Sequence, residues 1–151
     1  MEWRSKGRAA GRGWLQMQSN AITRLAKVAA KQTLILTHYG RKSGKPYDVT
    51  IWFVVDADKI YLSTANVERQ WVRNVRKTPR VRLSIGGEIF DGEARFLTEP
   101  AEHNRAMTRV RRKYWMYAPF IAVWRFLQRM RLVRDKTGAF EVTVSAVTSD
   151  E

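Results

Sequence analysis

The sequence predicts an α+β fold, a small six-stranded antiparallel β-barrel with packed helices. Three observations carry it. Six β-rich stretches, most about 5–9 residues long, are bounded by turn residues. The connections between the second and fifth stretches are short, which favours an antiparallel meander over βαβ crossovers. Helical patterns occupy the start, the middle and the segment before the last strand, and no internal repeat is visible.

Taken in order, Asn20 is placed to cap a helix running from Ala21 to about Lys31, with Ile22, Leu25, Ala26, Val28 and Ala29 on its apolar side. Residues 1–19 then form a basic, flexible N-terminal arm, and residues 20–151 a single barrel domain. Thr33 to Tyr39 reads as a strand ending at Gly40, and Val49 to Val55 as a second strand after a Gly- and Lys-rich turn. Asp56-Ala57-Asp58 turns into a third strand, Lys59 to Thr64. A short helix, about Glu68 to Arg76, is ended by Pro79, which disfavours helix at the residue before it. Val81 to Ile85 and Glu88 to Leu97 flank a Gly86-Gly87 turn. Thr98 is placed to cap a helix with Pro100 in its first turn, running to about Tyr114. Pro119 separates it from another helix reaching Arg134, and Ala139 to Val147 makes the last strand.

The chain carries 28 Lys and Arg against 14 Asp and Glu, a formal charge of +14. Residues 1–31 hold +6, residues 32–98 +4, residues 99–136 +7 and the last fifteen −3. Such a balance calls for an anionic partner: nucleic acid, anionic lipid, or a phosphorylated or carboxylated small molecule. With no cysteine there is neither a disulfide framework nor a thiolate metal site, and two histidines 65 positions apart leave no metal site to expect. The longest apolar run, Tyr114 to Trp124, falls short of the about 20 residues a bilayer span needs. Met1 to Trp14 lacks the apolar core of a secretory signal, so a cytoplasmic location is expected, with contact of the basic N-terminus to the inner membrane face as a further expectation.

The densest local signal is Gly40-Arg41-Lys42-Ser43-Gly44-Lys45, with three cations, a hydroxyl and two glycines at a strand end. Backbone N–H groups beside Arg and Lys suit a phosphate. The stretch is not a P-loop, because Tyr39 and Pro46 stand where that motif needs Gly and Ser or Thr. A solvated basic hairpin turn is the plainer alternative. No GxGxxG opens a helix after a strand.

Residue by residue, this region resembles the deazaflavin-dependent nitroreductase family, split-barrel oxidoreductases related to the flavin-binding pyridoxamine phosphate oxidases. The match rests on Thr37, Gly40, Arg41, Lys42, Ser43, Gly44 and Pro46, then Trp52 and Phe53 in the next strand, and Trp71, Asn74, Pro79 and Val81 beyond. Ala65 to Gln70 departs from the family, which often has Gly-Gly and His-Pro there, and Thr50-Ile51-Trp52 replaces a common Pro-Leu-Trp. The resemblance implies a split β-barrel of the FMN-binding type and hydride transfer from reduced coenzyme F420 to a quinone, nitro compound or enone. FMN, used by sister branches of the fold, is the alternative cofactor; a non-catalytic flavin or deazaflavin binder is the alternative function, and a nucleic-acid or anionic-membrane binder using the basic arms a third. The resemblance further implies that Thr37, Gly40, Arg41, Lys42, Ser43, Gly44, Trp52, Trp71 and Asn74 surround the cofactor, with core packing the plainer alternative for Trp52 and Trp71; His38, at the strand end beside the turn, is placed to contact it.

Tyr114, Trp115, Met116, Tyr117 and Phe120 form a second cluster. Aromatic rings can wall a flat acceptor and a phenol can donate to it. Tyr114 and Tyr117 are therefore candidate proton donors, and Trp115 and Phe120 candidate pocket walls; an aromatic core seam is the alternative. His103 is expected to face solvent, and Arg109, Arg111, Arg112 and Lys113, which flank the aromatic cluster, to form a solvated or phosphate-facing stripe. No Ser-His-Asp or Cys-His arrangement is present, which suits chemistry carried by a cofactor. The partners expected are an anionic flavin-like cofactor and a small hydrophobic acceptor, with no nucleic acid; a homodimer fits the fold.

Overall fold

The computed structural model describes residues 3–130 and 136–149. Six strands close into one barrel: β1 (Thr33–Tyr39), β2 (Pro46–Asp56), β3 (Lys59–Thr64), β4 (Arg80–Ile85), β5 (Glu88–Phe96) and β6 (Gly138–Ser149), in the order β1-β2-β3-β6-β5-β4. Every neighbouring pair is antiparallel. Period-two alternation turns Leu34, Leu36, Ile60, Leu62, Leu83, Phe90, Phe140 and Val142 into a shared interior. Closure gives every strand two neighbours, although Pro46–Trp52 of β2 pairs with β1 alone.

The connectivity is not the simple meander expected from loop lengths. Helix α2 (Gln70–Lys77) carries the chain from the end of β3 across to β4, which pairs with β1, and β6 then closes the gap beside β3. The amphipathic α2 buries Trp71, Val72, Asn74 and Val75 and plugs one end of the barrel.

Helix α1 also differs from expectation. It runs unbroken from Trp3 to Val28, so Asn20 lies within the helix and does not cap it. Ala21, Leu25 and Val28, spaced by four and three, bury against the barrel, whereas residues 11–17 are exposed. Helix α3 (Pro100–Lys113) starts one residue later than expected, with Glu99 and not Thr98 in the cap position and Pro100 in its first turn. A 3-10 turn (Trp115–Tyr117) leads into α4 (Ala118–Arg129). The remainder of the expected helix, beyond Met130 to Arg134, lies outside the described residues.

Candidate active site

Two groups of residues named from the sequence assemble, one at each side of the β3–α2 connection. The first is polar. Asn74, only 4% exposed, accepts a hydrogen bond at Oδ1 from Arg41 Nη1 (2.9 Å) and donates through Nδ2 to His38 Nδ1 (3.0 Å). Arg41 also reaches the carbonyl of Gln70 (3.4 Å), so the turn after β1 is tied to the first residue of α2. With Nδ1 accepting, His38 is the neutral Nε2–H tautomer. Burial lowers its pKa, partly opposed by Asp48, and its ring stacks on Tyr47 at 5.9 Å. Thr37 Oγ1 donates to Asp48 (2.7 Å), which stands across the β1–β2 ladder.

Beyond Arg41 the turn projects outward. Lys42, Ser43, Gly44 and Lys45 are exposed, and Lys42 and Lys45 have no carboxylate partner among the described residues. Ser43 Oγ accepts from the Lys45 N–H (3.2 Å), and Gly44 adopts φ +67°, a left-handed conformation natural to glycine. A Cβ on Gly40 would come within 2.6 Å of Ser43 Oγ, so the turn's tight form depends on that glycine.

The second group is aromatic. Trp52 points out of the barrel from β2, stacks on Tyr114 at 4.2 Å with planes 9° apart, and meets Tyr117 at 5.0 Å. These rings open onto a pocket of about 490 Å³ between the end of β3, α3 and α4, a volume in the range of small-molecule sites. Trp52, Tyr117, Phe120 and Trp124 supply its flat walls; Ser63, Thr64, His103, Asn104, Arg111, Arg125 and Gln128 supply its polar atoms. Among the described residues no carboxylate lines it, and the Gln128 Nε2 is buried with no hydrogen-bond partner.

Several sequence expectations change here. Tyr114 is 2% exposed, and backbone groups occupy its hydroxyl: it lies 2.6 Å from the Gln32 carbonyl and 3.0 Å from the Phe53 carbonyl, and accepts from Phe53 N–H at 3.2 Å. Burial raises its pKa further. A phenol so held is a strut between α3 and the barrel and not a mobile proton source. Tyr117, 37% exposed at the pocket, has no side-chain hydrogen bond among the described residues, which leaves its hydroxyl available. Trp115 is 70% exposed and outside the pocket wall, because the 3-10 turn rotates it away. Trp71 packs in the core against Phe140 (5.6 Å), with its Nε1 buried and unpartnered.

His103 is half-buried on the pocket wall, not out in solvent, because it shares a helix face with Met107 and Val110. The basic stripe likewise divides. Arg109 pairs with Asp56 (2.8 Å), Arg111 lines the pocket and only Arg112 is freely exposed. Lys113 donates to the Phe53 carbonyl (2.9 Å) above the Phe53 ring, and burial lowers its pKa to about 8. The pocket residues the sequence reading missed are Ser63 and Thr64, the α3 residues Asn104 and Met107, and Trp124, Arg125 and Gln128. The four-residue spacing of Phe120, Trp124 and Gln128 was the available signal.

Comparison with known proteins identifies the family and the fold. The model of the F420H(2)-dependent quinone reductase family matches residues 11–122. A conserved hypothetical protein of Mycobacterium tuberculosis has a similar structure, with TM-score 0.64 and 21% identity over 85% of this chain and 83% of that one. An F420-H2 dependent reductase gives TM-score 0.57 at 21% identity, over 74% and 94% of the two chains. A putative pyridoxamine 5'-phosphate oxidase of Listeria innocua gives 0.58 at 15%, over 85% and 96%. These likenesses extend to the fold. No curated protein matches the chain.

Proposed function

The chain belongs to the F420H(2)-dependent quinone reductase family, and from that premise we propose how its own residues bind the coenzyme and receive the acceptor. The protein is an oxidoreductase using coenzyme F420, whose reduced deazaflavin ring supplies a hydride when bound. The observation that carries the assignment of roles is the pocket: among the described residues it has four aromatic walls, two arginines, no carboxylate and one orphaned amide donor. That donor set suits a flat ring system bearing carbonyl oxygens.

The coenzyme's phosphate and carboxylates are anionic, and the turn Gly40–Lys45 presents Lys42, Lys45 and the Ser43 hydroxyl without competing acids. Asn74 is the positioning residue, fixing Arg41 at the root of that turn. Ala65 lines the pocket and Gln70 touches Arg41, so the five-residue step between them joins ring site to phosphate site. His38 and Trp71 support this arrangement from within the barrel, and Thr37 from its outer side through Asp48.

At the pocket, Trp52 and Tyr117 hold the ring plane, and Phe120 and Trp124 exclude water over it. Hydride addition to a quinone leaves negative charge on the carbonyl oxygen, which Arg111, Arg125 and the Gln128 amide are placed to stabilise. Tyr117 donates the proton that completes the hydroquinone.

Fluorescence titration with coenzyme F420 and, in parallel, FMN tests the binding roles. Lys42→Ala with Ser43→Ala weakens F420 binding by about tenfold or more, the loss of one or two charge-assisted hydrogen bonds. Unchanged affinity overturns the phosphate assignment.

A further inference from the structure

Helix α4 presents two different sides. Phe120, Trp124 and Gln128 turn toward the pocket, whereas Met116, Phe120, Val123, Phe126 and Met130 recur every three or four residues along an adjoining stripe. None of the described residues covers that stripe: the five side chains are 58–75% exposed, and Trp115 beside them is 70% exposed. Single exposed apolar residues are ordinary, but a contiguous row of this kind marks a docking surface.

Charge selects the occupant. Arg112, Arg125 and Arg129 are exposed around the stripe, and the sequence holds no Asp or Glu between Glu102 and Asp135. A second copy would bring the same cations to the same face. Anionic lipid would neutralise them, and tryptophan and tyrosine at the rim suit the headgroup layer. At 12 residues α4 is too short to span a bilayer, and no helix among the described residues is long and apolar enough to cross one. We propose that the 3-10 turn and α4 lie in the plane of an anionic membrane, with the Met116–Met130 stripe inserted among the acyl chains.

Phe120 belongs to both the stripe and the pocket wall, so the pocket mouth meets the lipid surface. A lipid-dissolved quinone would then enter without crossing water. This last step rests on the quinone-reductase reading of the pocket; the docking itself does not.

The test is co-sedimentation of the full chain with vesicles of phosphatidylcholine alone or mixed with phosphatidylglycerol. Binding to the anionic vesicles only is expected, and Val123→Ser with Phe126→Ser reduces it about tenfold or more. Both positions are exposed and outside the pocket, so the variant keeps wild-type F420 affinity, which confirms its folding. Arg129→Glu also weakens vesicle binding. The proposal is overturned if the wild type ignores anionic vesicles, if the serine variant binds them undiminished, or if the serine substitutions instead dissociate a dimer in sedimentation velocity. Failure of F420 binding with vesicle binding intact would overturn the pocket reading and leave the docking standing.

Discussion

Asn74 must satisfy a donor on one side and an acceptor on the other, and a primary amide is the side chain that does both. Asn74→Ala leaves Arg41 and His38 without these partners, an expected loss of about 1–3 kcal/mol in denaturant unfolding together with weaker F420 binding. The two tyrosines make a sharper contrast. Tyr114→Phe removes a hydroxyl held by backbone on three sides, so stability falls by about 1–3 kcal/mol. Tyr117→Phe changes stability by about 0.5 kcal/mol at most and lowers kcat for the quinone. Equal kcat in Tyr117→Phe and wild type would remove Tyr117 as the proton source. His38 adds a pH dependence: its pKa is lowered in the fold, so the unfolded chain binds the proton more readily. Its stabilising contribution is complete above the unfolded value near 6.5 and is lost as pH falls below it. Unfolding midpoints measured from about pH 7.5 down to about pH 5 should decline less steeply in His38→Gln.

At the level of elements, the site exists because the closed barrel gives α2 and α3 fixed platforms at its ends. Closure itself depends on a register shift between Asp91 and Gly92, where β5 crosses β6. A Cβ on Gly92 would stand 2.3 Å from the Thr143 carbonyl oxygen, a backbone atom with no freedom to yield. Gly92→Ala is therefore expected to destabilise by about 1–3 kcal/mol, seen as a lower thermal midpoint. All six strands were legible from alternation and turns, because a half-buried strand writes its two faces directly into the chain. Their order was not, because a loop's length does not reveal that α2 crosses the barrel end. Arg41 and Asn74 were both named from the sequence and meet in the structure, whereas the role of Lys42 and Ser43 beside them belongs to the proposal. Ser63, Arg111 and Gln128 were not legible as a group, since only register and helix packing bring them to one pocket.

For the molecule as a whole, the +14 charge is spread over a barrel whose interior needs none of it. It favours anionic partners by long-range attraction, and outside the barrel it is concentrated in the α3–α4 segment, with a further four cations on the outer part of α1. Helix α1 is anchored by Ala21, Leu25 and Val28, all C-terminal to residue 19, with Trp14, Met17 and Gln18 bordering a shallow depression of about 100 Å³ over β6. If residues 1–19 are an arm appended to a complete domain, deleting them removes the exposed stretch 11–17 and one shallow contact. The thermal midpoint should then fall by only a few degrees, about 2–4 °C for each kcal/mol lost in a chain of this size. Coenzyme F420 affinity should be unchanged, because no residue of the turn Gly40–Lys45 or of the pocket lies before position 20. A truncated chain that fails to fold, or that loses F420, would make the outer helix part of the domain; one that keeps both would place its four cations, Arg4, Lys6, Arg8 and Arg12, at the service of a surface outside the active site.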